Sequence, residues 1–176
     1  KWEYAKGVQI IQDVLSDRNI SIRNRAFAYN RLAALYNEMQ PVLLHKDDSV
    51  IKYSRLCIAI SEKHNLTEYL AASQNELGCI YLDNGTLDTA LNLISKATDN
   101  FLQLGKYPQA INTHINLALV KNKEGKLEEA RDILLKALYL GNIEDNRNLF
   151  LYVYLHLSNV NADLGNFKKA YEYSSI

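Results

Sequence analysis

The chain has no surplus of charge: Lys plus Arg and Asp plus Glu each total 20 among its 176 residues. A phosphate-reading surface needs a cationic excess, so this segment is not expected to bind nucleic acid or to anchor electrostatically to a membrane. No apolar run approaches the ~20 residues of a bilayer span, so direct membrane insertion by this segment is not expected either. Cysteine is scarce, with only Cys57 and Cys79. Two thiols make no disulfide framework, and they read as half-buried free thiols, with a single bridge between neighbouring helices as the alternative. The four histidines, His45, His64, His114 and His156, lie on different elements without metal-ligand spacing. No Ser, His and acid set, HExxH, phosphate-cradling glycine loop or paired-carboxylate arrangement stands out. No catalysis, cofactor or metal is therefore expected of this segment. Strand alternation and low-complexity linkers are missing too. No signal peptide is visible, but the chain starts with Lys1 rather than Met, so the natural N-terminus is expected upstream and the compartment stays open.

What the chain does have is a repeat. A hydrophobic share of 48% with 23% charged residues fits an ordinary packed domain. Leu77, Leu117 and Leu157 stand 40 residues apart, as do Gly85, Gly125 and Gly165. Leu87, Leu127 and Phe167 keep the same interval, and so do Ala90, Ala130 and Ala170, with Val50 continuing that column upstream. Four columns at one period define a helical repeat. The fold expected is all-α, an α-solenoid of antiparallel helix pairs.

In chain order, residues 1–17 align Trp2 with Leu127 and Ala5 with Ala130, which makes this stretch a second helix without its first. Helix pairs follow at about 20–64, 67–104, 107–141 and 147–176, one repeat domain over 1–176 that reads as a fragment of a longer chain. Within the first pair, Pro41 should stop or kink the helix, and Val42, Leu43 and Leu44 make residues 39–49 a sticky loop or an extra turn. Ser21, Asp48, Thr67, Thr86 and Asn166 stand where N-caps belong, and Pro108 in a first turn where its missing N–H costs nothing. Gly85, Gly125 and Gly165 should close the first helices in the left-handed conformation, and Asn65, Gly105 and Gly141 the second helices. LFLYVYLHL (149–157) is unusually apolar. It reads as a first helix packed on both sides, with a groove-facing or dimer-facing patch as the alternative.

In frames beginning at Ala71, Ile111 and Leu151, Leu77-Gly78 with Tyr81, Gly85, Leu87, Ala90, Ile94 and Ala97 resemble the marker pattern of the tetratricopeptide repeat. Leu117-Ala118, Gly125, Leu127, Ala130, Leu134 and Ala137 carry it again, and Leu157-Ser158, Gly165, Phe167 and Ala170 a third time. Small residues at 78, 90 and 97 let two helices approach closely. The pattern departs from the family in its period of 40 rather than 34, in Gln74, His114 and Tyr154 at the tryptophan position, and in Lys121 and Asn161 where Tyr81 would recur. HEAT-type repeats share this range of periods and are the rival fold.

The resemblance implies a concave groove lined by first helices that receives an extended peptide or a partner helix. Carried over by frame, its positions are Asn30, Arg31, Asn75, Glu76, Asn112, Asn116, Tyr152, His156 and Asn159, with Cys79, Asp83 and Leu119 beside them. Asparagine offers donor and acceptor together, so a ladder of them can pair with a peptide backbone. The subclass that clamps a C-terminal carboxylate is not matched, because Arg31 and Asn116 lack the accompanying lysines and arginines. Long-period arrays of this composition look like the sensory regions of bacterial two-component histidine kinases and of transcription regulators. A sensor-kinase region implies a periplasmic address, and a regulator a cytoplasmic one. A scaffold or self-association module, with a homodimer, is the reading from a different class.

Overall fold

A computed structural model describes residues 2–39, 46–144 and 147–176. Among them are nine α-helices and no strand: α1 (Trp2–Ser16), α2 (Ile22–Glu38), α3 (Lys46–Lys63), α4 (Thr67–Asp83), α5 (Leu87–Gln103), α6 (Tyr107–Lys123), α7 (Leu127–Glu144), α8 (Arg147–Asp163) and α9 (Phe167–Ser174). The readings of Pro41, Val42, Leu43 and Leu44 fall outside the described residues.

Each helix packs on the one before and the one after it in sequence. In addition α2 approaches α4, α4 approaches α6 and α6 approaches α8 to within 8 Å between Cα atoms, whereas the backbones of the described α3, α5 and α7 do not come that close to one another. A two-layer stack whose one layer is tighter must curve towards that layer. The even-numbered helices therefore form the concave wall and the odd-numbered ones the outer wall. This is an α-solenoid of antiparallel pairs.

The sequence columns explain the packing. Ala90 and Ala130 are fully buried, with Ala170 at 8% exposure and Val50 at zero. Ile94 and Leu134 are likewise fully buried one helical turn further on. They face the small column Gly78, Ala118 and Ser158, and the close approach is tightest at Gly78, where an added Cβ would stand 2.5 Å from Cγ1 of Ile94. Leu134 belongs to an apolar cluster with Ile111, Ile115, Ala118, Val153, Leu157 and Val160, joining α6, α7 and α8. Ala5, by contrast, is exposed. In the other pairs the preceding first helix covers that column, and no helix precedes α1 among the described residues. Leu151 is exposed for a related reason. Ala71, which shares Leu151's column, packs against Ala97 and Phe101, and α9 ends before the corresponding turn.

The turns follow one design. Gly85 has φ +76°, the Gly85 N–H bonds the Leu82 carbonyl and the Thr86 N–H bonds that of Tyr81 at 2.8 Å. Gly105, Gly125 and Gly165 repeat it, and Asn65 at φ +54° shares the outer bond, from the Leu66 N–H to the Ser61 carbonyl at 2.9 Å. This closure satisfies the last carbonyls and leaves one residue before the next helix. The expected side-chain caps at Thr86 and Asn166 do not form, and the residue at the cap position before α4 is Leu66, with Thr67 already in the helix. The cause is the backbone: these cap residues have ψ of 58 to 70°, while Ser21, which does accept the Asn24 N–H, has ψ 151°. Only the extended conformation swings the side chain over the first turn. Asp48 likewise is no cap but lies inside α3.

Gly141 is a second correction. It does not end a helix, since α7 continues to Glu144. Its place is steric: a Cβ there would stand 3.1 Å from the Phe150 ring of α8. Both cysteines are free thiols. Cys57 is completely buried rather than half-buried, its thiol donating to the Ala26 carbonyl at 3.3 Å.

Candidate binding groove

Each of the nine expected groove residues belongs to α2, α4, α6 or α8, the helices of the concave wall. They are not one constellation. Asn75 and Asn116 meet across α4 and α6, the Asn116 amide donating to the Asn75 carbonyl oxygen at 3.0 Å. That bond uses one donor and one acceptor. It leaves a donor on Asn75 and an acceptor on Asn116, the complement of one peptide unit. Asn30 donates instead to the Ser73 hydroxyl at 3.2 Å, bridging α2 to α4.

Glu76 forms the second grouping, with Arg31, Asn37 and Glu38 of α2 around it. Burial pushes its carboxyl above the ordinary range and the Glu38 charge adds to this, while the Asn37 hydrogen bond and Arg31 oppose it. Beside it Cys79 is pushed up to about 12, by burial first and then by the charges of Glu76 and Asp83. A thiol so disposed is protonated and no nucleophile at neutral pH. Asn112, Tyr152, His156 and Asn159 stand apart, and among the described residues no hydrogen bond ties them to the other candidates. Tyr152 is 61% exposed, with Leu151 and Leu155 of the same helix also open. Leu119 is half-buried and joins the apolar clusters on either side of α6.

Three polar residues that position this wall escaped the sequence reading. Ser73 stands in a column with Ala28, Thr113 and Val153, all buried, and a hydroxyl in a buried column signals a partner in reach. Lys123 reaches from α6 to the Leu82 carbonyl at 2.9 Å, a cation on the last turn of α4 where the helix dipole favours it. Asn100 donates to Gln74 at 3.3 Å, tying the buried amide of α4 to α5.

His114, at the position Gln74 holds in the preceding repeat, is 8% exposed, and its Nδ1 lies 2.7 Å from the Ala110 carbonyl. A carbonyl can only accept, so Nδ1 carries the proton and Nε2 is bare. Burial lowers the pKa and Lys136 adds to that, while the Ala110 bond and Asp99 oppose it. Burial lowers His156 as well. With the folded pKa below the unfolded one, the unfolded chain takes up protons first as pH falls. Stability is full above the unfolded value near 6.5 and is lost as pH drops through and below it. Denaturant melts across that window are expected to show the loss, with a shallower slope in His114→Gln. Equal slopes in the two proteins would remove His114 as the source.

Residues 69–142 match the profile of the tetratricopeptide repeat family. No curated protein matches the chain. Among solved structures, BtubC (BKLC) from P. vanneervenii superposes with a TM-score of 0.81 at 18% identity, over 97% of this chain and 70% of its own. The apo form of RapI gives 0.80 at 16% identity, over 96% of this chain and 60% of its own. The Rap conjugation gene regulator of plasmid pLS20, solved in complex with the Phr* peptide, gives 0.77 at 20%, over 97% of this chain and 47% of its own. The chain thus spans less than two thirds of both Rap proteins. Likenesses at this identity establish the fold.

Proposed function

We propose that this chain, whose residues 69–142 are tetratricopeptide repeats and whose solenoid continues in their manner on both sides, is a peptide-binding module that works through its concave wall. The observation that carries the reading is the Asn75 and Asn116 pair, which spans two first helices and keeps a donor and an acceptor for a peptide backbone. The neighbouring fold solved with a bound Phr* peptide supports the same kind of ligand. A peptide held by α4 and α6 together would favour one spacing of these helices, and so one pitch of the array. Placement of the module in a bacterial signalling protein, as the sensory region of a histidine kinase or within a transcription regulator, rests on the sequence resemblance alone.

The test is selection of a displayed random peptide library against the chain. Selected binders are expected to lose about tenfold in affinity to Asn75→Ala and to Asn116→Ala, the worth of one hydrogen bond of about 1.4 kcal/mol. Lys96→Ala, at an exposed site on α5, should leave affinity unchanged. Binders indifferent to both asparagines would overturn the reading. A second reading, self-association through α8, is favoured by the exposure of Leu151, Tyr152 and Leu155 at 58, 61 and 54%. Sedimentation mass that rises with concentration, together with a failed selection, would put it first.

A further inference from the structure

The outer wall has an opening of its own. Because the backbones of α3 and α5 stay more than 8 Å apart, a furrow of about 490 Å³ lies between them, floored by Leu77 and Tyr81 of α4 and by Leu93 of α5. Its two rims carry opposite charges. On α3, Arg55 donates to the Tyr81 hydroxyl at 3.0 Å, a neutral partner, and among the described residues no carboxylate pairs with it. On α5, Asp88 lines the opposite rim with Thr89 and Asn92, again without an ion pair among the described residues. A guanidinium bonded to a phenol leaves its remaining N–H groups, and the phenol its own O–H, for one acceptor.

The next repeat shows what this place accommodates. One period on, Tyr81 becomes Lys121, whose ammonium is held by Glu124 at 3.1 Å and Glu129 at 3.3 Å. There the chain supplies its own aliphatic stem and cation to the acids around it. In the first furrow the corresponding positions are Asn84 and Thr89, the acid that remains is Asp88, and among the described residues no side chain brings a cation to it.

We propose that this outer furrow docks a segment of a partner protein that presents an acid and a base side by side. The partner's carboxylate takes Arg55 and Tyr81, its ammonium takes Asp88, and their aliphatic stems lie on Leu77 and Leu93. A helix with Glu and Lys four residues apart carries such a pair on one face. Charge complementarity of this type sets specificity and orientation more than raw affinity, as suits an open furrow. The site is independent of the concave groove and faces away from it.

A blocked alanine-based helical peptide with Glu and Lys four apart serves as the probe, titrated at low salt into the isotopically labelled chain. Saturable amide shifts are expected at Arg55, Tyr81, Asp88, Thr89 and Asn92. Arg55→Glu and Asp88→Lys, both at exposed sites, should each weaken binding about tenfold, and the double swap should restore it. Melting curves establish that each variant is folded. Shifts that fail to saturate, that map to α2, α6 or α8, or that the double swap does not restore would overturn the proposal. A peptide with only Glu or only Lys that binds equally well would do so too, since the furrow would then not read the pair.

Discussion

Replacing Gly78 with alanine is expected to destabilise the protein by about 2 kcal/mol, although the same change in an open helix would stabilise it. Two effects compete. Alanine is favoured over glycine in a helix interior by about 1 kcal/mol. Against that, the new Cβ would lie 2.5 Å from Cγ1 of Ile94 and 3.3 Å from its Cδ1, and a clash this close puts the overpacking cost at the upper end of its range, about 3 kcal/mol. Cγ1 is an inner atom of a β-branched side chain with restricted rotamers, and Ile94 is fully buried between neighbours, so it cannot swing aside. The helices must part instead. The same column accepts alanine at 118, opposite Leu134, whose branch point lies one atom further from the backbone. A loss of about 2 kcal/mol corresponds to about 4–8 °C in melting temperature for a domain of this size. Gly78→Ala combined with Ile94→Ala should cost less than the sum of the single changes, because the second removes the atom that the first meets. A Gly78→Ala protein that melts above the parent would show that the two helices are not held at this distance.

The comparison explains why the array could be read from the sequence and much of its wall could not. Gly85, Gly125 and Gly165 recur because an L side chain is strained at φ near +76°, and Ala90 and Ala130 recur because no space remains at zero exposure. Such constraints act on single positions, so they leave a mark at every period. Thr86 and Asn166 misled because residue type alone does not reveal ψ, and a cap needs both. Gly141 misled differently: a glycine near a helix end was assigned to conformation when the reason was the ring of Phe150. The wall residues depend on partners from other helices. Asn75 finds Asn116 from 41 residues away, and Asn30 finds Ser73 from 43, neither of them a full period. Position 75 repeats as Ile115 and Leu155, so no column announces it. Frame analogy assigned these residues to first helices, and only the fold shows which of them meet.

Replacing Leu134 with alanine is expected to cost about 3–5 kcal/mol, the upper part of the range for a leucine that leaves a cavity its surroundings cannot close. Leu134 is fully buried in the cluster that joins α6, α7 and α8, where each neighbour is fixed by its own helix. The location of the damage distinguishes a solenoid from a single-core domain. Leu82, Ala90, Ile94 and Val120 make a separate cluster, and Ala33, Val50 and Ile80 another. Among the described residues the links across the boundary are few: Leu119 of α6 packs on both of the larger clusters, and Leu140 of α7 also reaches the small one of Ala71, Ala97, Phe101 and Ala110. In such an array stability is a sum of repeat terms and nearest-neighbour interfaces, so the cavity should be felt along α7 to α9 and fade towards α3. Hydrogen exchange resolves this, because it reports opening segment by segment. Amides of α7 and α8 are expected to lose about a hundredfold or more in protection, as 3 kcal/mol implies, while those of α3 and α4 keep theirs. If protection falls by one common factor in every helix, the repeats unfold as a single unit. A pitch change imposed by a ligand on α4 and α6 would then have no soft interface at which to act.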